Sequence, residues 1–258
     1  MSTLHRFAFT LCAAPLALAL AACGGTGETP EAPSGDAIAP IAAPAGTNWT
    51  DKVSETPEGG YVMGNPDAPL KLIEYGSLSC PHCARLAQEG FPELMSDFIG
   101  SGRVSLEFRS FAIHPQDVPL TLLTRCGGPE RVFPLTEELF RNFDGVMDHA
   151  MQNAQAAEAA SALPPEQRLG ALSDVLGFTE FFAARGISED QAHACLADIG
   201  AATKFAQQAQ AYTAEGINQT PTLVLNGVKL EAATWGPNRT AAGIEPGLKA
   251  ALQKAGAR

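Results

Sequence analysis

The run Cys80-Pro81-His82-Cys83 stands where one hydrophobic periodicity gives way to another, and that junction constrains the fold more than any other feature of the sequence. Before it, Leu70-Lys71-Leu72-Ile73-Glu74-Tyr75 is a short apolar run closed by Gly76-Ser77, the pattern of a buried strand. After it, Leu86, Phe91, Leu94, Met95 and Phe98 recur at helical spacing. This predicts an amphipathic helix from about Cys80 to Ile99, kinked or split at Pro92, which lacks a backbone donor. Gly102 ends that element. Val104, Leu106 and Phe108 then alternate with Ser105, Glu107 and Arg109, the period of a half-buried strand. Strand, helix and strand in that order call for parallel pairing through a right-handed crossover.

A cysteine at the start of such a helix has a specific chemistry. The helix N-terminus presents unpaired N–H groups and partial positive charge, which favour thiolate over thiol. Cysteine pKa values in these settings fall to roughly 3.5–7.5 from about 8.5. Cys80 sits where that field is strongest, and Cys83 lies nearly one turn inward. Pro81 suits the first helical turn, and His82 can add charge or an N–H beside the sulfur. Cys80 is therefore expected as an exposed nucleophile. A zinc site would need two further ligands at suitable spacing, and a purely structural bridge across so small a loop stabilises little.

Residues 117–216 are helical in pattern almost throughout. Asp117 can cap one helix, with Pro119 in its first turn, and Pro129 can open the next. Pro164-Pro165 separates two more, Ser188 with Gln191 resembles a capping box, and Gly216 stops the last. Strands then return: Thr222-Leu223-Val224-Leu225, an Asn226-Gly227 type I′ hairpin signal, and Val228-Lys229-Leu230. Glu245–Lys254 reads as a closing helix with Leu248, Ala251 and Leu252 inward. The fold class is α/β, a βαβ unit and a ββα unit separated by an all-helical subdomain at about residues 117–203.

The N-terminus points out of the cytoplasm. Arg6 precedes an uncharged apolar run from Phe7 to Ala22, too short for a comfortable membrane span. It ends in Leu20-Ala21-Ala22-Cys23-Gly24, which resembles the bacterial lipobox and makes Cys23 the expected lipidation site; the alternative is ordinary signal cleavage after a small residue. Residues 1–22 thus read as a lipoprotein-type signal, and residues 23–60, rich in Ala, Pro, Gly, Thr and Glu, as a flexible tether to a folded unit at 61–258. Losing residues 1–22 removes Arg6 and leaves 28 acidic residues against 16 basic, a net charge of −12, which argues against nucleic acid or an anionic membrane surface as a partner. Four cysteines remain beyond the signal and Cys23, an even number suited to an oxidising compartment.

Tyr75 through Cys83, the downstream Thr220-Pro221-Thr222 and the helical insertion resemble the DsbA-like branch of the thioredoxin superfamily, over roughly residues 61–255. Gly64-Asn65-Pro66-Asp67-Ala68-Pro69 is similar to the lead-in common in that branch. The resemblance implies a thioredoxin fold with an inserted all-helical subdomain and a thiol:disulfide oxidoreductase acting on exported proteins with free cysteines. On composition alone the bond before Pro221 is expected to be trans; the resemblance implies a cis bond facing the CxxC, where Thr220 and Pro221 would present backbone groups to an extended substrate peptide. On composition alone Glu74 reads equally as a strand-end carboxylate in water; the resemblance implies that it lies beneath the second cysteine, where burial would raise its pKa and let it exchange a proton with Cys83. Thr220 is more similar to isomerase and reductase relatives, which opens a reductive alternative to disulfide donation. The partner implied is a membrane redox protein, either a quinone-linked reoxidant or a reductant, in the periplasm, with the lipid anchor as the sole membrane contact. No metal or other cofactor is implied. A third alternative is a peptide-binding chaperone with idle cysteines. For Cys126 and Cys195 the expectation is a structural disulfide rather than a second redox centre; closing a loop of about 70 residues stabilises by about 4 kcal/mol in the chain-entropy model. His114, His149 and His193 read as surface or structural groups, and Trp49 and Trp235 carry no signal.

Overall fold

The computed structural model describes residues 33–231 and 241–258. The signal segment, Cys23 and Trp235 lie outside the described residues.

A six-stranded mixed sheet forms the frame, in the order β1-β2-β4-β3-β5-β6. Its strands are β1 (Val53–Glu55), β2 (Tyr61–Gly64), β3 (Leu70–Gly76), β4 (Val104–Ser110), β5 (Thr222–Leu225) and β6 (Val228–Lys229). The central pair β3 and β4 runs parallel, with Leu70 opposite Val104 and Gly76 opposite Ser110. All other pairings are antiparallel. The crossover between β3 and β4 is α1 (Pro81–Glu93), which continues as a π-helix over Leu94–Ile99. The change of helical type begins two residues after Pro92, whose missing N–H breaks the ladder there.

Eight helices separate β4 from β5: α2 (Asp117–Arg125), α3 (Pro129–Arg141), α4 (Phe143–Gln152), α5 (Ala154–Ser161), α6 (Pro165–Val175), α7 (Phe178–Ala183), α8 (Glu189–Leu196) and α9 (Ile199–Ala214). The last of them ends at Ala214, just before Gly216, as the helical pattern over residues 117–216 predicts. Pro129 and Pro165 each open a helix, and the Ser188 side chain accepts from the Gln191 N–H at the start of α8. The β5–β6 hairpin turns through Asn226 (φ 48°) and Gly227 (φ 81°), both left-handed as a type I′ turn requires. Helix α10 (Ala241–Lys254) closes the chain, with Leu248 and Leu252 buried against α1. One apolar core runs from the sheet into the insertion. Leu72, Leu106 and Leu223 from the sheet and Leu120, Phe140, Phe178 and Phe182 from the helices are all sealed from solvent.

The tether expected at residues 23–60 needs correction over its described part. Trp49–Asp51 forms a 3-10 turn and β1 pairs with β2, so the sheet begins before Tyr61. Gly35 and Ile38 donate backbone hydrogen bonds to Lys254 and Gly256, and Ile41 to Ser101. Trp49 is buried and its Nε1–H donates to the Ile41 carbonyl at 2.7 Å. A composition poor in apolar periodicity is here pinned by backbone hydrogen bonds and one aromatic anchor.

Candidate active site

Two of the three loops that build the site leave the C-terminal ends of the parallel strands, β3 into Ser77–Cys80 and β4 into Phe111–Gln116; the third precedes β5. Ligand crevices in such sheets gather at this edge. The first loop delivers Cys80 as the N-cap of α1, with extended backbone (φ −90°, ψ 120°), and Pro81 takes the first helical position, where its missing N–H has no partner to lose. Cys83 follows within the first turn and is fully buried, whereas Pro81 and His82 are exposed.

The two sulfurs are electrostatic opposites. Cys80 is lowered to about 5, first by a hydrogen bond from the Cys83 thiol and then, against the penalty of burial, by the Thr220 side chain and the backbone N–H groups of Cys83 and His82. His82 thus acts on Cys80 through its main chain. Cys83 is pushed well above its ordinary value, by burial first, then by its hydrogen bond to Cys80 and the negative charges of Glu74 and Cys80.

The expectation of an exposed Cys80 is corrected. The residue is 3 % exposed, because the loop before β5 folds over it. The peptide bond Thr220-Pro221 in that loop is cis, Pro221 is buried, and the Cys80 thiol donates to the Thr220 carbonyl at 3.5 Å. With Pro81 and His82 in solvent beside it, the sulfur lies one layer below the surface. The Thr220 hydroxyl is buried with no other hydrogen-bond partner.

Glu74 sits in the middle of β3, opposite Phe108 on one side and Leu223 on the other, fully buried with neither carboxyl oxygen hydrogen-bonded. Burial raises it to about 8, with the Cys80 charge adding to the effect. Its charge in turn acts on Cys83. The carboxyl lies under the loop entry, since a Cβ placed on Gly76 would come 2.9 Å from Glu74 Oε1.

Four residues of the site have no role in it on the sequence alone. Asp117, 1 % exposed, accepts from the Ser77 hydroxyl (2.9 Å to Oδ1 and 3.0 Å to Oδ2), from the Ser79 N–H (2.9 Å) and from the N–H groups of Ile113 (2.8 Å) and His114 (3.0 Å). Ser79 Oγ in turn bonds His114 Nδ1 at 2.9 Å. Asp117 is therefore not the cap of α2, whose N-cap is Gln116, and His114, although exposed, belongs to the rim of the site. Ser77 and Ser79 flank the cysteines closely enough to invite attention; Asp117 and His114 stand over thirty residues away with nothing in the spacing to join them.

Beside this rim, Ser79, Pro81 and His114 form one wall of a groove of about 560 Å³ whose far wall includes Phe143, Met147 and Met151. Met151 is 69 % exposed, and Ile113, next to His114, is also exposed. Cys126 and Cys195, in the insertion, are joined by a disulfide (S–S 2.02 Å, Cα–Cα 5.8 Å) that ties the end of α2 to α8. His193, two residues before Cys195, bonds Asp174 through Nε2 at 2.9 Å.

A family model described as Thioredoxin matches residues 56–239. A Rickettsia bellii protein named for protein-disulfide oxidoreductase activity is 34% identical over 82 residues, 32% of this chain and 32% of its own. The chain thus spans about a third or less of the length of the curated relatives it matches. A protein-disulfide isomerase from Novosphingobium aromaticivorans superposes with a TM-score of 0.66 at 26% identity, covering 74% of this chain and 96% of that one. The α-DsbA1 of Wolbachia pipientis superposes with a TM-score of 0.56 at 20% identity over 76% of this chain and 91% of its own, and so shares the fold, helical insertion included. A parallel β3–α1–β4 core with its cysteine pair at the helix tip, a cis-proline loop across from it and a model match over most of the length agree: this chain belongs to the thioredoxin family, in the DsbA-like form of its fold.

Proposed function

We propose that this protein is a thiol:disulfide oxidoreductase that donates disulfides to exported proteins through Cys80 and Cys83. The observation that carries the reading is the geometry of the pair: Cys80 caps α1 against the cis Thr220-Pro221 loop and Cys83 lies buried one turn inward, which lowers the first sulfur and raises the second. In the oxidised pair, a substrate thiolate attacks Cys80 Sγ. The Cys80–Cys83 bond breaks, Cys83 leaves with the electron pair, and the proton held by Glu74 neutralises it. A second substrate thiolate attacks the substrate sulfur of the mixed disulfide, and Cys80 leaves as a thiolate. The substrate loses two electrons and the pair gains two. The low pKa makes Cys80 a good leaving group and stabilises the reduced form, which is what makes the disulfide oxidising. Because the Thr220 loop covers the sulfur, attack requires a local movement that uncovers Cys80 Sγ.

A membrane redox partner, quinone-linked, then removes the two electrons. The disulfide at Cys126 and Cys195 supports an oxidising compartment. The apolar run and the Leu20-Ala21-Ala22-Cys23-Gly24 pattern support export to the periplasm through residues 1–22 and lipidation at Cys23, and mass analysis of the mature N-terminus tests both. Thr220 supports a second reading, in which a reducing partner keeps the pair reduced for reductase or isomerase work.

Equilibration of the Cys80–Cys83 couple with glutathione separates the two. Donation predicts a potential nearer the oxidising end of the thioredoxin scale, about −120 mV, than thioredoxin's about −270 mV. A value at or below the latter defeats the donor reading.

A further inference from the structure

We propose that Asp117 is a positioning residue for the Cys80–Cys83 pair, tying the loop that delivers Cys80 to the loop that leaves β4 and so holding the sulfur at the helix tip. The proposal rests on the oxidoreductase reading and adds to it a residue that never touches the reacting sulfurs.

A carboxylate at this depth needs several donors to be tolerated at all. Asp117 has four: the Ser77 hydroxyl and the N–H groups of Ser79, Ile113 and His114. No amide of α2 is among them, so the side chain does not serve the helix it begins. It turns back instead and joins two residues of one loop, 38 and 40 positions earlier in the chain, to two of another, 3 and 4 positions earlier. Three of the four donors are backbone N–H groups, which cannot reverse their polarity; only an acceptor on both oxygens satisfies them together.

The pinned points matter for the sulfurs. Ser79 immediately precedes Cys80, and the Ser77 carbonyl accepts the Cys80 N–H at 3.3 Å. The Ser77 backbone also faces Cys83, where it opposes the upward push on that thiol. A second strut, Ser79 Oγ to His114 Nδ1, fixes the same loop from the rim. Releasing Asp117 frees the chain on the N-terminal side of Cys80, and the alignment of that sulfur with the His82 and Cys83 N–H groups is lost with it.

The test uses the full mature protein in its reduced form. Ultraviolet thiolate absorbance against pH and the equilibrium constant with glutathione are measured for wild type, Asp117→Asn, the milder double variant Ser77→Ala/Ser79→Ala, and Leu196→Ala, a buried residue of α8 remote from the loops. Asp117→Asn turns an amide N–H toward backbone donors; it should raise the Cys80 titration and weaken the oxidising power about tenfold, or about 30 mV for a two-electron couple. The double serine variant should shift both the same way by less, and it decides the matter if Asp117→Asn does not fold. Leu196→Ala should lose stability while leaving the titration in place. A low wild-type titration that stays within twofold in the Asn and double serine variants, whatever their melting temperatures, overturns the positioning role and leaves the donor reading standing. An ordinary wild-type thiol titration overturns both.

Discussion

The chain contains two cysteine pairs in contrasting settings. Cys80 and Cys83 lie within one helical turn at the tip of α1, free, with titrations pushed in opposite directions. Cys126 and Cys195 lie 69 residues apart, joined, at the end of α2 and in α8. The first pair gains its properties from what surrounds the sulfurs: helix N–H groups, a buried carboxyl, a loop folded across. The second has no such surroundings and closes a long loop, where a crosslink removes the most freedom from the unfolded chain. On the proposed reading, reactivity and stabilisation are divided between the pairs by placement in the fold.

Removing each pair in turn is the strongest way to break that division. Cys80→Ser should reduce oxidative refolding of a reduced substrate protein to background while leaving the melting temperature near its former value. Appreciable turnover by that variant would falsify the assignment of Cys80 as nucleophile and favour a chaperone role for the groove beside Pro81. The double variant Cys126→Ser/Cys195→Ser should do the reverse. It is expected to keep the Cys80 titration and lose about 4 kcal/mol of unfolding free energy by denaturant titration. If the loss falls on turnover instead, the second pair takes part in electron transfer.

Much of this division is legible in the sequence, and what is not has a physical reason. The β3–α1–β4 unit, the helical run and the β5–β6 hairpin announce themselves because local periodicity and turn chemistry agree with the final packing. Cys80 and Cys83 follow from spacing, whereas the even cysteine count only permits the pairing of Cys126 with Cys195, which the structure shows; the cis bond before Pro221 and the burial of Glu74 follow only from family resemblance. Strand β1 is three residues long and leans on β2 for its existence, so no local pattern marks it. Trp49 is held by a carbonyl eight residues upstream within a segment whose composition reads as tether. Asp117 illustrates the deeper limit. Its residue type at a helix start suits a cap, and only the three-dimensional meeting of two loops reveals that its oxygens face away from the helix.

Glu74 sharpens the contrast, because its buried carboxyl acts electrostatically on Cys83 at a cost to the fold. Its value of about 8 in the folded protein lies far above that of an exposed glutamate, so the unfolded chain releases the proton more readily. A raised folded value means that the protonated carboxyl gives full stability below about pH 4 and that this is lost as pH rises toward 8. Glu74→Gln should therefore stabilise the reduced protein by roughly 2–4 kcal/mol near neutral pH, with little gain in acid. It should also slow release of the Cys83 sulfur, since the amide has no proton to give. Unfolding curves at acid and neutral pH read the first effect, and single-turnover oxidation of a dithiol substrate reads the second. Equal stabilisation at both pH values would mean that Glu74 is already paired or hydrated in solution.

The smallest effect isolates what a single hydroxyl contributes to the reactive pair. Thr220 meets Cys80 through two groups with opposite preferences. Its carbonyl accepts from the thiol and so has no partner once the proton leaves, whereas its side chain favours the thiolate. Thr220→Val keeps the first and deletes the second, at nearly constant shape. The hydroxyl has no other partner to forfeit, so the fold should be as stable as before or slightly more so. The Cys80 titration should rise by about one unit, the scale of a hydrogen bond to a charged sulfur set against partial compensation by the helix N–H groups. The sign carries the argument. A rise assigns part of the thiolate's stability to the loop before β5, making the reactive pair a joint product of α1 and that loop. No change leaves the helix tip alone responsible, and a fall means that removing the buried hydroxyl exposes the sulfur to water more than it deprives it of a donor.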